Sequence, residues 1–291
     1  MYKVLTIAGS DCSGGAGIQA DLKTIMAHGM YGMSVITAVT VQNTLGVQAV
    51  HKLPPDIIEE QITAIAEDIV PDAVKIGMLT DADTIHAVVK GLGKIKKCPV
   101  VIDTVMVSTS GKDLLDKDAV KVYCKELLPL ATMITPNLPE LEELYSFVVK
   151  EDESCSCKKT GILEGMAYLE DSASSDESIL TMSQVVQQAL HTAVLVKGGH
   201  RKDSAKDILF ANGVVHSYPA SHIHNPNTHG TGCTLSSAIA CNLAQGNSLK
   251  EAVRAAKCYI SDCIADGMDL GHGNGPLNHL VWQQGKEGIQ V

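Results

Sequence analysis

Aromatic side chains are scarce: only 3% of the 291 residues, with two Phe and one Trp. A core of packed rings is therefore excluded, and the interior must be filled by Val, Ile, Leu, Ala and Met. Such an aliphatic, β-branched interior suits strands buried on both faces by helices. An excess of basic residues is also missing. Lys and Arg total 23 against 33 Asp and Glu, a formal charge of −10. That excludes a broad positive field for nucleic acid. A phosphate ligand would have to be held by local dipoles and a few lysines. No apolar run reaches membrane length, and the pattern at Met1–Leu5 enters a strand directly, so neither a leader nor a membrane contact is expected. The nine cysteines stand at scattered spacings and do not form a disulfide framework. Reduced thiols and a cytoplasmic protein are expected.

What is present is a repeating alternation of short apolar runs and amphipathic segments. Val4–Ala8, Ser34–Val41, Ala73–Ile76, Pro99–Ile102, Met133–Ile134 and Ala193–Lys197 read as strands. Ala16–His28, Asp56–Ile69, Asp83–Leu92, Ala119–Leu128, Leu138–Phe147, Met182–His191 and Gly232–Leu243 read as helices. Asn212-Gly213 between two apolar pentamers is a hairpin signal. Ser248 and Glu251 form a capping box that opens a further helix to about Ala265. The stretch Val148–Leu180 breaks the rhythm with acidic, Ser, Lys and Cys residues, and reads as an exposed insertion with one helical patch near Ile162–Tyr168. The whole chain, residues 1–291, reads as one domain. Repeated β-α units imply a mostly parallel sheet covered on both faces, with ligands at the carboxyl ends of the strands.

Three of the loops at those ends are suggestive. Gly9–Gly17 carries a glycine cluster that permits close backbone approach to a ligand. A dinucleotide fold would want an acidic residue about 20 positions on, yet none occurs from Leu22 to Pro55. A tight strand-to-helix turn is the plain alternative. Asp11 in this loop is either a turn former or a group facing the crevice. Asn225–Thr234 opens an apolar helix with small residues, which leaves backbone N–H groups free for an anion. A thiol at Cys233 should have a lowered pKa there. An ordinary glycine-rich cap with a buried Cys is the alternative. In Thr135–Glu140, Asn137 and Glu140 fit a capping box. The same two side chains could act through water on Mg²⁺. Cys155/Cys157 and the histidines at 216, 222, 224 and 229 are weaker signals for a metal.

Taken in order, the segments Thr6–Lys23, Lys75–Met78, Asp103–Met106, Ile134–Glu140, Val196–His200 and Asn227–Ser236 resemble the signature of hydroxymethylpyrimidine/phosphomethylpyrimidine kinases. The resemblance runs along almost the whole chain. It implies an α/β fold, the ribokinase-like three-layer α/β/α sandwich with a mostly parallel central sheet, and usually a homodimer. The implied activity is transfer of phosphate from Mg·ATP to the hydroxymethyl group of an aminopyrimidine, and then to its monophosphate. The implied partners are therefore a small pyrimidine and ATP, with Mg²⁺ as cofactor and no nucleic acid.

Carried over residue by residue, Asp11, Ala16, Gln42, Met78 and Val105 would surround the pyrimidine. Asp103, Asn137, Lys197 and Thr228 would face ATP and its phosphates, with Asn137 and Glu140 near Mg²⁺. Gly230, Thr231, Gly232 and Cys233 would receive the transferring phosphoryl group, with Cys233 as the catalytic residue. Cys12 departs from the usual Pro or Ser of the family. The acidic insertion is longer than in most members. Cys233 stands where the wider superfamily has an Asp base. Pyridoxal kinases of the same superfamily are the runner-up. A non-catalytic pyrimidine-binding regulator is the alternative from a different class, and ATP turnover discriminates between them.

Overall fold

The computed structural model describes residues 1–107, 111, 114–151, 176–199 and 205–284. The core follows from strand alternation. In β1 (Lys3–Asp11), Leu5 and Ile7 point into one apolar cluster while Val4 points into another. The same split recurs in β4 (Ala73–Ile76), with Val74 and Ile76 opposite Ala73, and in β5 (Val100–Ile102), with Val100 and Ile102 opposite Val101. A strand that is apolar on both faces must be covered twice.

Among the described residues the sheet has nine strands. The others are β2 (Tyr31–Asn43), β3 (Gly46–Lys52), β6 (Met133–Ile134), β7 (Ala193–Val196), β8 (Asp207–Ala211) and β9 (Val214–Tyr218). Their order is β3-β2-β1-β4-β5-β6-β7-β8-β9. The pairs from β2 through β7 are parallel, and the hairpins β2/β3, β7/β8 and β8/β9 are antiparallel.

One face is covered by α2 (Pro55–Asp68), α3 (Ala82–Leu92), a helical run from Lys117 to Leu130 that contains α4 (Val120–Val122), α5 (Leu138–Glu151) and α6 (Asp176–Leu190). The other is covered by α1 (Gly17–Ala27), α7 (Thr231–Ala244) and α8 (Leu249–Ala265). A short α9 (Val281–Gln284) follows. The result is the three-layer α/β/α sandwich expected, with a mostly parallel sheet. No helix among the described residues is long and apolar enough to cross a membrane.

Four local expectations need correction. The strand Gly46–Lys52 has no strict alternation of buried and exposed residues, so its sequence gave no strand signal; it pairs with an extended β2 and reduces the loop after Gln42 to a two-residue turn. The helix read at Ala119–Leu128 has only three α-helical residues, Val120–Val122, between a 3₁₀ turn and a π-helical turn at Tyr123–Leu127. At the break after Phe147, α5 continues to Glu151 because Leu144 and Val148 keep the buried stripe of Leu141. At its other end α6 starts at Asp176, with Ile179 buried ahead of Met182. The insertion thus cannot span Val148–Leu180; its centre, with the helical patch at 162–168 and Cys155/Cys157, lies outside the described residues.

The C-terminal part of the chain locks α7 in place. His279 is 3% exposed, and its Nε2 lies 2.9 Å from Thr234 Oγ1 in the first turn of α7. Tyr259 Oη donates to the His279 carbonyl at 2.9 Å. Burial, with Lys23 adding to it, pushes the His279 pKa down to about 4. His28, packed against Tyr259 and Trp282, is also lowered, by burial. In the unfolded chain these rings take up a proton near pH 6.5; in the folded protein they do not. Above pH 6.5 they cost nothing. As pH falls from 6.5 toward 4, the unfolded state binds more protons and stability drops. His279 alone accounts for about 3 kcal/mol over that window. Urea unfolding at pH 7.0 and 5.0 should show about 2 kcal/mol of this loss from His279, and His279→Gln should flatten a large part of the slope.

Candidate active site

Five parallel strands deliver their following residues to one rim, as expected for a sheet of this kind. Asp11 ends β1, Met78 follows β4, Asp103 follows β5, Asn137 follows β6 and Lys197 follows β7. Across this rim runs a cavity of about 490 Å³. All the site residues expected from sequence line it: Asp11, Ala16, Gln42, Met78, Asp103, Val105, Asn137, Glu140, Lys197, Thr228, and Gly230 to Cys233.

The middle of the cavity is charged. Lys197 Nζ lies 2.8 Å from Asp103 Oδ1 and 3.6 Å from Glu140 Oε2. Thr135 Oγ1 donates to Asp103 Oδ1 at 3.1 Å, and Thr104 Oγ1 to Glu140 Oε2 at 3.0 Å. Burial works against the Asp103 charge, but Lys197 and Lys75 outweigh it and hold the carboxyl below its ordinary range. Glu140 moves the other way, raised by burial and by Asp103 despite Lys197. Two carboxylates thus share one ammonium, which leaves room for further positive charge.

Asn137 and Glu140 form the expected capping box. The Asn137 N–H donates to Glu140 Oε2 at 2.8 Å, and the Glu140 N–H donates to Asn137 Oδ1 at 2.9 Å. Among the described residues there is no group of three or more His, Cys, Asp or Glu side chains arranged to hold a metal ion. The oxygens present fit Mg²⁺ that keeps most of its water shell, as that ion does on nucleotide phosphates.

The two glycine loops meet here. Gly230 has φ +83°, and a Cβ on it would fall 1.9 Å from the Gly15 carbonyl oxygen. Only glycine permits this contact. A Cβ on Gly232 would lie 3.1 Å from the Asp103 carboxylate. The first turn of α7, with its free N–H groups, therefore opens directly onto the charged cluster, a geometry suited to an anion.

Cys233 is half-buried in that turn. Its expected low pKa is not found. Burial, with Asp21 and Asp103 adding to it, pushes the thiol up to about 11 despite the nearby Lys75. Lys75 is completely buried and donates to both Asp21 oxygens, at 2.8 and 2.9 Å. Asp21 also accepts from Thr6 Oγ1 at 2.6 Å and Ser237 Oγ at 2.8 Å. This network ties α1, β1, β4 and α7 together beneath the loop.

Asp11 is largely a turn former. Its carboxylate accepts from the Ser13 N–H and hydroxyl, the Gly15 and Ala16 N–H groups, and His229 Nε2. Burial opposes its charge, but these bonds, led by His229, hold its pKa well below the carboxylate range. Gln42, Met78, Val105, Val107 and Leu114 frame the end of the cavity beside it. At the opposite end Ile223, Leu235, Ile260 and Ile264 make an apolar slot next to the Lys257–Asp207 ion pair, 2.7 Å apart. Sequence reasoning missed this end. Leu235 and Ile260 belong to the buried core and Ile264 packs against it, and that all three also line the cavity follows only from the packing of α7 against α8.

A cavity with a charged centre and a glycine turn at a helix N-terminus, at the carboxyl rim of a three-layer sandwich, defines a small-molecule kinase with a ribokinase-like fold. The phosphomethylpyrimidine kinase family model matches residues 11–169 and 160–278. The chain belongs to that family. A hydroxymethylpyrimidine/phosphomethylpyrimidine kinase of Rhizobium meliloti is 45% identical over 279 residues, 95% of this chain and 96% of that protein. The thiamine biosynthesis bifunctional protein ThiED of Geobacter sulfurreducens is 43% identical over 96% of this chain, which spans 52% of that longer protein. Among solved structures, the phosphomethylpyrimidine kinase of Clostridium difficile 630 has a TM-score of 0.70 at 42% identity, covering 91% of this chain and 100% of that one. The pyridoxal kinase of Staphylococcus aureus in complex with ADP has a TM-score of 0.82 at 30% identity, covering 98% and 95%.

Proposed function

We propose that this chain phosphorylates 4-amino-5-hydroxymethyl-2-methylpyrimidine with Mg·ATP, and then phosphorylates the monophosphate to the diphosphate, for thiamine biosynthesis. One observation carries the reading: a single cavity joins a polar-edged pocket at Gln42, the Asp103–Lys197–Glu140 cluster, the Gly230–Cys233 turn and an apolar slot. The aminopyrimidine sits at Gln42, Met78 and Val105. The adenine takes the apolar slot. Lys197 and the α7 N–H groups hold the transferring phosphoryl, where positioning and charge stabilisation supply most of the catalysis. Mg²⁺, bound with ATP beside Asp103, Asn137 and Glu140, neutralises phosphate charge. The chain is proposed to act as one kinase domain, in the cytoplasm, as a homodimer.

Pyridoxal kinases stand among the solved structures of this fold, at 30% identity, which makes pyridoxal the alternative acceptor to test. Initial rates with Mg·ATP on the pyrimidine, its monophosphate and pyridoxal test both readings. The two pyrimidines should give the highest kcat/KM. Preference for pyridoxal would replace the first reading with the second.

Gln42 supplies the polar edge that meets the ring. Gln42→Leu would leave that edge of the pyrimidine unpaired, at a cost of about 1–3 kcal/mol of binding. Calorimetry should show weaker pyrimidine binding with ATP affinity kept; unchanged pyrimidine affinity would remove Gln42 from recognition.

A further inference from the structure

His229 lines the same cavity, is 8% exposed and stands between two of the site's residues, yet no role toward the substrate has been given to it above. Its Nε2 lies 2.9 Å from Asp11 Oδ2 and 3.0 Å from the Gln42 amide nitrogen. These two contacts make opposite demands on one ring nitrogen. A carboxylate only accepts, so Nε2 must carry a proton to bond Asp11. An amide NH₂ only donates, so Nε2 would have to be bare to bond Gln42.

Asp11 decides the conflict. Its carboxylate is ionised, tied down by three backbone N–H groups and the Ser13 hydroxyl, and buried. A bare ring nitrogen 2.9 Å from it would set lone pair against lone pair. The Gln42 amide has no such fixed demand, because its two ends are nearly isosteric and exchange by a half-turn of the terminal torsion.

We infer that His229 is a positioning residue: its Nε2–H is shared by Asp11 and the Gln42 carbonyl oxygen, which turns the Gln42 NH₂ into the cavity. The site then demands an acceptor atom on the ring at that point, such as a pyrimidine ring nitrogen. With the amide reversed, the same position would demand a donor. The specificity of the pocket is thus set one residue behind the contact, by the chain Ala16 N–H, Asp11, His229, Gln42. The backbone supports the ring as well, since the His229 N–H donates to the Gly275 carbonyl at 3.1 Å.

This rests on Gln42 meeting the substrate ring, as proposed above, but its first test does not. Long-range ¹H–¹⁵N NMR on the ligand-free protein reads the protonation of each His229 ring nitrogen directly. The expected result is a protonated Nε2; a bare Nε2 overturns the inference whatever the substrate. Kinetics supply the second readout. His229→Leu frees the Gln42 amide to turn, and should raise KM for the pyrimidine about tenfold while KM for ATP stays within twofold. His229→Gln, which keeps an N–H at that reach, should recover most of the loss. A pyrimidine KM unchanged in His229→Leu overturns the positioning role. Analogues in which one ring nitrogen is replaced by C–H complete the test. At least one should lose about tenfold in wild-type protein and nothing further in Gln42→Leu. If none loses affinity, the ring offers Gln42 no acceptor and the inference fails.

Discussion

Replacing Cys233 with Ala should slow phosphorylation of the hydroxymethyl group by about 10²–10⁴-fold, the usual range for a general base, with little change in ATP affinity. The argument is positional. Cys233 lies in the first turn of α7, beside the Asp103–Lys197 pair and on the same cavity as Gln42. An alcohol must lose its proton as it attacks phosphorus, and the thiol is a titratable group carried on that turn itself. Its raised pKa of about 11 in the ligand-free protein adds a further expectation. At pH 7 the thiolate is a minor species, and its population grows about tenfold per pH unit up to 11. The rate of the first step should therefore climb with pH between 7 and 9. The second step should be nearly flat, because a phosphate monoester is already largely ionised at neutral pH. Cys233→Asp should recover part of the first-step rate and abolish the climb. Single-turnover kinetics on both acceptors measure all of this. Wild-type rates in Cys233→Ala would leave only the backbone anion site, with Cys233 a helix-turn residue of suitable size.

The largest effect on stability should come from Lys75→Met. The Lys75–Asp21 pair is completely buried, and burial alone would drive the ammonium toward neutrality. Asp21 instead keeps the Lys75 pKa above its ordinary range, with Cys233 and Asp103 adding to it. Removing one partner of such a pair strands the other charge, at a cost of about 3–5 kcal/mol. Thr6 and Ser237 would still bond Asp21 but could not neutralise it. Denaturant unfolding should show that loss. The double variant Asp21→Asn with Lys75→Met should regain much of it, since neither charge then remains buried. Equal losses in the single and double variants would show that packing, not charge, governs the position.

The parallel core was legible in the sequence because strands buried on both faces are continuous apolar runs, as in Val100–Ile102 and Ala193–Val196. β3 was not, because an edge strand with an irregular mixture of exposed and half-buried residues carries no period. The ends of α5 and α6 were hidden for a related reason: Glu and Asp on their outer faces masked the buried stripe through Val148 and Ile179. In the site, Asn137 and Glu140 were suggested by their own chemistry after a strand, whereas Asp103 and Lys197 came only from the family resemblance. Two features needed three dimensions. The apolar slot is assembled from helix faces distant in sequence, and the bond between His229 and Asp11 spans 218 positions. The Cys233 pKa runs against the expectation from a helix terminus because burial raises it, with Asp21 and Asp103, invisible as neighbours in the sequence, adding to the rise.

The central claim is that one cavity performs two successive phosphorylations of an aminopyrimidine. A ³¹P NMR time course with the purified protein, 4-amino-5-hydroxymethyl-2-methylpyrimidine and excess Mg·ATP tests it most directly. The expected result is a monophosphate signal that rises and then gives way to the diphosphate, with both steps lost together when Lys197 is replaced by Ala. ATP left intact, or phosphate transferred only when pyridoxal is supplied, would contradict the claim.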